Sequence, residues 1–238
     1  MKTMLYGIRV QLKMDIRSKT LLVTCYVVPL LFFAIMGGIF TSLMPEAKHT
    51  LIQSMTVMGV SMGALIGVPP SMIEVYSTDI KKMYIANGIP LCFGVIALVV
   101  SAFIHLMIMS IIIFALAPIV FHATIPSNIP LYFITLALFV IVSLTISCVL
   151  GLAVKNQAKL TMYSQVVFLP SIMLSGIMFS AELLPNFLES IGKLFPATWG
   201  YTLLIQKNIE VSTFIPLVFI LIISVFVSVQ LLKKIRSE

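Results

Sequence analysis

The sequence predicts an all-α polytopic membrane protein with a single domain, and two observations carry this prediction. Hydrophobic residues make up 60% of the chain and charged residues only 10%, with a mean hydropathy of +1.14. Several apolar runs reach about 18 residues, which is enough for a helix to cross a bilayer. We expect an amphipathic helix over residues 1–20 and six transmembrane helices, at about residues 21–43, 51–73, 91–118, 130–154, 162–180 and 213–232.

The first 20 residues have the pattern of a basic amphipathic helix. Apolar residues recur at a spacing of three or four and share one helical face: Leu5, Ile8, Leu12 and Ile16. Lys and Arg surround this face, which is typical of a helix that lies on the anionic cytoplasmic leaflet. A basic tail that only sets orientation is the alternative. The polar lead is too long for a cleavable signal peptide.

The second predicted span carries three glycines at four-residue spacing, Gly59, Gly63 and Gly67. This spacing places them on one face of a helix, where another helix can approach closely. The face can serve packing within the chain or form a seam between two copies. Pro69 and Pro70 are expected to bend the cytoplasmic end of this span.

The longest polar break on the inner side covers residues 74–90. It predicts a short helix from about Thr78 to Ile85, with Thr78 or Asp79 as its N-cap. Asn87–Gly88 and then Pro90 would end this helix.

The segment from residue 162 to 204 begins as a spanning helix and then breaks. Pro170 removes a backbone donor within the span, and small residues follow at Ser171, Ser175 and Gly176. Glu182 and Pro185 interrupt the run, an amphipathic piece begins near Phe187, and Pro196 ends it. We therefore expect re-entrant or interfacial helices between spans five and six, buried in protein or lining a cavity.

The positions of the basic residues predict the orientation. Twelve of the fifteen fall on one side of the predicted spans: Lys2, Arg9, Lys13, Arg17, Lys19, Lys81, Lys82, Lys155, Lys159, Lys233, Lys234 and Arg236. The positive-inside rule then places both termini in the cytoplasm. We expect the protein in the inner or plasma membrane of the cell. This bias explains the net charge of +7, so no nucleic-acid partner is needed to account for it. The same orientation places the broken segment, residues 162–204, on the outer side of the membrane.

The predicted spans lack the groups that membrane chemistry usually needs. His105 is the one ionisable residue in their apolar cores, and a hydrogen-bonded packing role is the simplest interpretation of it. The three cysteines have no metal-ligand spacing and read as packing residues. No nucleotide-binding loop or hydrolase motif is present, so we expect neither an enzyme nor a cofactor in this chain. Uphill transport would need energy from another polypeptide, docked at the N-terminal helix or at residues 74–90.

Taken in order, these elements resemble the membrane subunit of a type-2 ABC exporter. The resemblance rests on the basic N-terminus, six spans, the inner loop from Glu74 to Gly88-Ile89-Pro90, and the late pattern of Pro170, Ser175-Gly176, Leu184-Pro185 and Pro196. It implies a separate ATP-binding subunit, which holds ATP and Mg, and a second permease copy or a paralogue.

The resemblance also implies roles for particular residues. The coupling helix that meets the ATPase would be formed by Glu74, Thr78, Asp79, Lys81, Lys82 and Tyr84. The outer gate would be formed by Pro170, Ser175, Gly176, Glu182, Pro185, Phe187 and Pro196. The gate is either a moving lid or a static cap.

Three functions are compatible with the sequence. The first is export of an amphipathic drug, antibiotic peptide or lipid along a path rich in Met and Phe, although the Met residues can equally be core filler. The second is an ATPase-independent secondary carrier or channel, which the absence of carboxylates from the spans disfavours. The third is a scaffold or membrane-embedded enzyme, which the absence of clustered polar residues at the span ends disfavours. The substrate is not readable from the sequence.

Overall fold

The computed structural model describes residues 2–178, 184–206 and 210–237, and all regular structure in these ranges is helical. A 3₁₀ turn, Pro45–His49, joins the second helix to the third. In chain order the helices are α1 Lys2–Arg17, α2 Lys19–Leu43, α3 Leu51–Tyr76, α4 Asp79–Ala86, α5 Leu91–Phe121, α6 Ile129–Ala153, α7 Gln157–Met173, α8 Asn186–Gly192, α9 Pro196–Ile205 and α10 Val211–Ser237.

Five helices in the described ranges are long and apolar enough to cross a membrane: α2, α3, α5, α6 and α10. The predicted span at 162–180 corresponds to α7, which begins earlier and ends at Met173. At 17 residues, α7 is about 26 Å long. Leu174 caps it and Gly176 follows with φ of +83°, a conformation that turns the chain away from the helix axis. A sixth helix of full spanning length is therefore not found in the described part of the chain.

Helix α3 occupies the centre of the molecule. In its most apolar 18-residue stretch 94% of the residues are buried, against 22% for α2 and 17% for α10. Helices α2, α5, α6, α7 and α9 pack around it. Its polar side chains Gln53, Ser54, Thr56 and Ser61 are consequently buried, and Thr56 accepts a hydrogen bond from the Tyr132 hydroxyl at 2.9 Å.

Two π-turns interrupt the central helices, Val23–Val27 in α2 and Gly63–Gly67 in α3. Proline follows each of them within two residues, at Pro29 and Pro69. Because proline lacks a backbone N–H, the preceding turn widens and the helix continues beyond it. The two π-turns pack together, since a Cβ added to Gly67 would lie 2.9 Å from Oγ1 of Thr24.

The predicted apolar face of α1 is only partly covered by the rest of the chain. Leu5 and Ile16 are 65% and 57% exposed, whereas the single carboxylate of this helix, Asp15, is 4% exposed. Gly7 lies against Phe93 of α5, so that a Cβ added there would come within 2.2 Å of the ring. Helix α1 therefore packs on α5 through a face that includes Gly7 and Asp15, while Leu5 and Ile16 stay uncovered by the rest of the chain.

Candidate functional site

The loop between α3 and α5 forms the short helix α4 that the sequence predicts. The Thr78 hydroxyl accepts a hydrogen bond from the Ile80 amide at 3.4 Å, so Thr78 is the N-cap. It also donates to the carbonyl oxygen of Glu74 in the last turn of α3. The helix ends at Asn87, and Gly88 follows with φ of +66°, a conformation that glycine adopts without strain.

Two tyrosines, Tyr76 at the end of α3 and Tyr84 of α4, contact the start of α5. The buried Tyr76 donates a hydrogen bond from its hydroxyl to the carbonyl oxygen of Leu91. Tyr84 of α4 is half-buried and packs over Gly94, where an added Cβ would lie 2.9 Å from Cε2 of its ring. Helix α4 is therefore in direct contact with α5.

Helix α4 also presents an open, partly apolar surface. Ile80, Met83 and Ile85 are 39%, 62% and 50% exposed. Beside them the Lys82 ammonium donates to the Asp79 carboxylate at 2.8 Å. This hydrogen bond holds the pKa of Asp79 below its usual value and raises that of Lys82, so both groups are charged at neutral pH.

The six residues predicted to couple to an ATPase lie together on the last turn of α3 and on α4. Those that are exposed are Glu74, Thr78, Asp79 and Lys82, and those that are half-buried are Lys81 and Tyr84.

The predicted glycine face of α3 is occupied by side chains of the same chain. A Cβ added to Gly59 would lie 2.9 Å from Cε of Met109, and one added to Gly63 would lie 2.4 Å from Cδ2 of Leu106. Gly67 faces the π-turn of α2, as described above. These contacts let α2 and α5 approach α3 closely within one molecule.

At the opposite end of the bundle, a cavity of about 740 Å³ opens between α2, α3 and α9. Its lining combines apolar side chains with hydroxyl groups, and Glu46 is the one charged residue among the lining residues described. The Ser54 hydroxyl of α3 lies 3.3 Å from the Tyr201 hydroxyl of α9 across this lining. The cavity therefore suits a ligand with both apolar and polar surface.

The structure brings some predicted gate residues to this cavity and leaves others away from it. Ser175 and Gly176 line the cavity. Pro170 lies inside α7, Pro185 precedes α8, Phe187 is 73% exposed on α8, and Pro196 begins α9. Glu182 lies outside the described residues.

Helices α8 and α9 form a hairpin that is tied to the turn after α7. The Thr198 hydroxyl donates to the carbonyl oxygen of Gly192 at 2.6 Å, and the Trp199 indole donates to that of Lys193 at 2.7 Å. A Cβ added to Gly200 would lie 2.3 Å from the ring of Phe139, the eleventh residue of α6. The contact with α9 therefore lies about 15 Å from the start of α6, well within the length of that helix.

Sequence reasoning missed a polar cluster where α1, α2 and α5 meet. Asp15 accepts hydrogen bonds from the Gln11 amide at 2.8 Å and from the Ser101 hydroxyl of α5. One turn further along α5, Nδ1 of His105 lies 2.7 Å from the Tyr26 hydroxyl of α2. Asp15 is the only acidic residue among the first 20, and it shares a helical face with Ile8 and Leu12. An acidic residue on this apolar face was the signal in the sequence that could have revealed the cluster.

A family model described as ABC-2 type transporter matches residues 6–209 of the chain, from α1 to the residues just after α9. No curated protein and no solved structure matches the chain significantly.

Proposed function

The chain belongs to the ABC-2 type transporter family, and on that premise we propose that it is the permease subunit of an ATP-driven exporter. The chain itself has no nucleotide-binding motif. In this proposal a separate ATP-binding subunit holds ATP and Mg, and the permease receives its energy through protein contacts. Membership of the family makes the chain a transporter permease and a multi-pass membrane protein.

The open face of α4 carries the proposal of an ATPase docking site. Ile80 and Met83 project apolar surface from a helix that lies at an end of the bundle, and exposed apolar surface of this kind marks an interaction site. The Asp79–Lys82 pair adds a polar rim. Tyr84 of α4 packs onto Gly94, and in this proposal a push on α4 reaches α5 through that contact as a rigid-body movement.

Replacement of Met83 by Asp tests this proposal. A carboxylate in a desolvated apolar interface is strongly unfavourable, so we expect the ATP-binding subunit no longer to co-purify with the permease. Leu194→Asp is the matched control, because Leu194 is 75% exposed and lies near α8 at the opposite end. Unchanged co-purification with Met83→Asp, or an equal loss with Leu194→Asp, would refute docking at α4.

For the substrate path, we propose that the cavity between α2, α3 and α9, here called the outer cavity, receives an amphipathic drug, peptide or lipid. A second permease copy or a paralogue would complete it. Helices α8 and α9 would be re-entrant helices that cover this path. The support for this is the contact of Gly200 with Phe139 well within the length of α6. Ser175 and Gly176 at the cavity wall support a gate at the same place.

The proposed orientation places both termini in the cytoplasm of a cell-membrane protein. Lys233 and Arg236 at the end of α10 line the same cavity as Gly88 and Pro90 beside α4. The basic end of α10 and the proposed docking helix are thus on one side, as the positive-inside rule requires. Impermeant thiol labelling of Ser237→Cys in intact cells should fail, and labelling of Ala47→Cys should succeed.

A carrier driven by an ion gradient remains the second candidate, and one observation favours it. The buried Asp15 carboxylate lies against α5 one turn from His105, and carriers of this kind use ionisable groups inside the membrane. Transport into vesicles with a proton or sodium gradient and no ATP would establish this function. ATP-dependent transport that persists without any gradient would exclude it.

A further inference from the structure

A groove runs between α5 and α10 and is closed at its base by α6. It consists of two adjoining cavities, of about 510 Å³ and about 380 Å³. Cys92 of α5 and Val229 and Leu232 of α10 line both cavities, so the two form one continuous space. The groove lies on the side of the molecule where α10 is mostly exposed, and Ile85 at the end of α4 lies at its mouth.

The two ends of the groove differ in chemistry. Lys233 and Arg236 line the end next to Gly88–Leu91, whereas the deeper part is walled by aliphatic residues such as Ile96 and Val225. Neither cavity has an Asp or Glu among its described lining residues. Two hydroxyl residues line the deep part: Thr145 donates to the carbonyl oxygen of Val142 within its own helix, and the Ser228 hydroxyl is buried, so the exposed wall there is effectively apolar.

The dimensions of the groove fit one leaflet of a bilayer. Arg236 and Val225 are eleven residues apart on α10, which corresponds to about 17 Å along a helix. Half of the hydrocarbon thickness is about 15 Å. A ligand with its charge at Arg236 would therefore place its apolar part between the membrane surface and the midplane.

We propose that this groove binds one anionic phospholipid, with its phosphate at Lys233 and Arg236 and an acyl chain in the aliphatic part. Two cations at a membrane surface attract anionic headgroups, and the aliphatic part of the groove lies at the depth where an acyl chain can pack into it. The occupant is a lipid rather than a protein segment because the groove combines a cationic mouth with an apolar interior one leaflet deep. This inference does not depend on the proposed exporter function.

The chain contains its own reporter for the test. Cys92 lines both cavities and is exposed, whereas Cys25 and Cys148 are buried. In the full-length chain in detergent, we would measure the rate at which maleimide labels Cys92. Added phosphatidylglycerol should slow this labelling. Phosphatidylcholine, which has no net charge, and glycerol 3-phosphate, which has no acyl chain, should each leave the rate nearly unchanged.

Variants then locate the headgroup site. In Lys233→Gln/Arg236→Gln the phosphatidylglycerol concentration for half protection should rise by about 25-fold, since each cation contributes about fivefold. Lys234→Gln is the matched control for Lys233→Gln alone, which should raise this concentration about fivefold, because it removes the same charge one residue away and Lys234 does not line the groove. Ile96→Trp should fill the aliphatic part and abolish protection.

Four results would overturn the proposal. Equal protection by phosphatidylcholine would show that charge is irrelevant, and protection by glycerol 3-phosphate would show a site for free anions. An equal loss in Lys234→Gln would show that binding depends only on surface charge. The fourth result is no protection by phosphatidylglycerol in the unmodified chain, an outcome that does not depend on any variant folding correctly.

Discussion

The Ser101 hydroxyl of α5 donates a hydrogen bond to the Asp15 carboxylate of α1, and this bond fixes the N-terminal helix to a membrane helix. Ser101 is the eleventh of the 31 residues of α5. His105, one turn further, bonds to Tyr26 of α2. A single stripe of α5 therefore holds both α1 and α2, and we expect these three helices to move together.

Removal of the Ser101 hydroxyl should destabilise the protein. Ser101→Ala leaves the buried Asp15 carboxylate with one hydrogen-bond donor fewer, and hydrogen bonds to charged groups contribute about 1.5–3 kcal/mol. Ser110→Ala is the matched control, because Ser110 is equally buried but donates to Leu106 within its own helix. It should cost about 1 kcal/mol or less. Thermal unfolding in detergent measures both, and equal losses would contradict a special role for the Asp15–Ser101 bond.

A methyl group on Gly200 should loosen α9. Its Cβ would overlap the Phe139 ring at 2.3 Å, and such overpacking typically costs about 1–3 kcal/mol. Gly38→Ala is the control, since the nearest atom to its Cβ lies 3.9 Å away, and its effect should stay within about 1 kcal/mol. Faster proteolysis of the α8–α9 segment in Gly200→Ala, with none in Gly38→Ala, is the expected outcome. Unchanged proteolysis would show that α9 does not depend on this contact.

Replacement of Tyr84 should impair coupling to the ATPase without impairing binding of the ATPase. Tyr84→Ala leaves Ile80 and Met83 on the open face of α4, so we expect the ATP-binding subunit still to co-purify. The contact with Gly94 is lost, and substrate-stimulated ATPase activity should fall about fivefold or more, because coupling free energies of this kind are about 1–3 kcal/mol. Tyr84→Phe keeps the ring and should behave as the parent chain. Full stimulation in Tyr84→Ala would show that force does not pass through this contact.

The Asp79–Lys82 pair should not make docking at α4 depend on pH between 5 and 8. Its hydrogen bond from Lys82 lowers the pKa of Asp79 from 3.8. A carboxyl group with a lowered pKa stabilises the folded state above its ordinary pKa, and this contribution is lost as the pH falls through the lowered value. Co-purification at pH 5.5 and pH 8 should therefore change equally in the parent chain and in Asp79→Asn. A pH dependence that disappears in Asp79→Asn would contradict this prediction.

A crosslink between Ser54 and Tyr201 should distinguish a gate from a cap. Cysteines at both positions, in a chain with Cys92→Ser, can be joined by a short bifunctional thiol reagent across the outer cavity. If α9 moves during transport, the crosslink should abolish transport and a reducible reagent should restore it. A cap that only seals the outer leaflet would tolerate the crosslink, and transport would continue.

Local signals were sufficient to predict α4 from the sequence. Thr78 at the N-cap, the polar run after α3 and Asn87–Gly88 at the end act over a few residues, and the helix Asp79–Ala86 has these boundaries. Long apolar runs predicted α2, α3, α5, α6 and α10 equally well. The family match then confirmed the resemblance to type-2 ABC permeases.

Features that depend on contacts distant in sequence were not predictable in the same way. The burial of Asp15 requires Ser101, which is 86 residues away, and although Asp15 shares a helical face with Ile8 and Leu12, nothing within α1 identifies its partner. The six predicted spans contain no Asp or Glu, but α3 extends to Tyr76 and so includes Glu74, and Asp15 is a carboxylate supplied by a neighbouring helix. The end of α7 at Met173 likewise depends on the turn at Gly176, which apolar character alone does not reveal.

The central position of α3 has a consequence for biosynthesis. Helix α3 is the least hydrophobic of the five candidate spans, with a mean hydropathy of 1.6, and it buries Gln53 and Thr56 against helices that are translated later. Until α5 and α6 emerge from the ribosome, these polar groups face lipid or the translocon. Truncated nascent chains that end before α5 should therefore insert α3 poorly, and chains that include α6 should retain it.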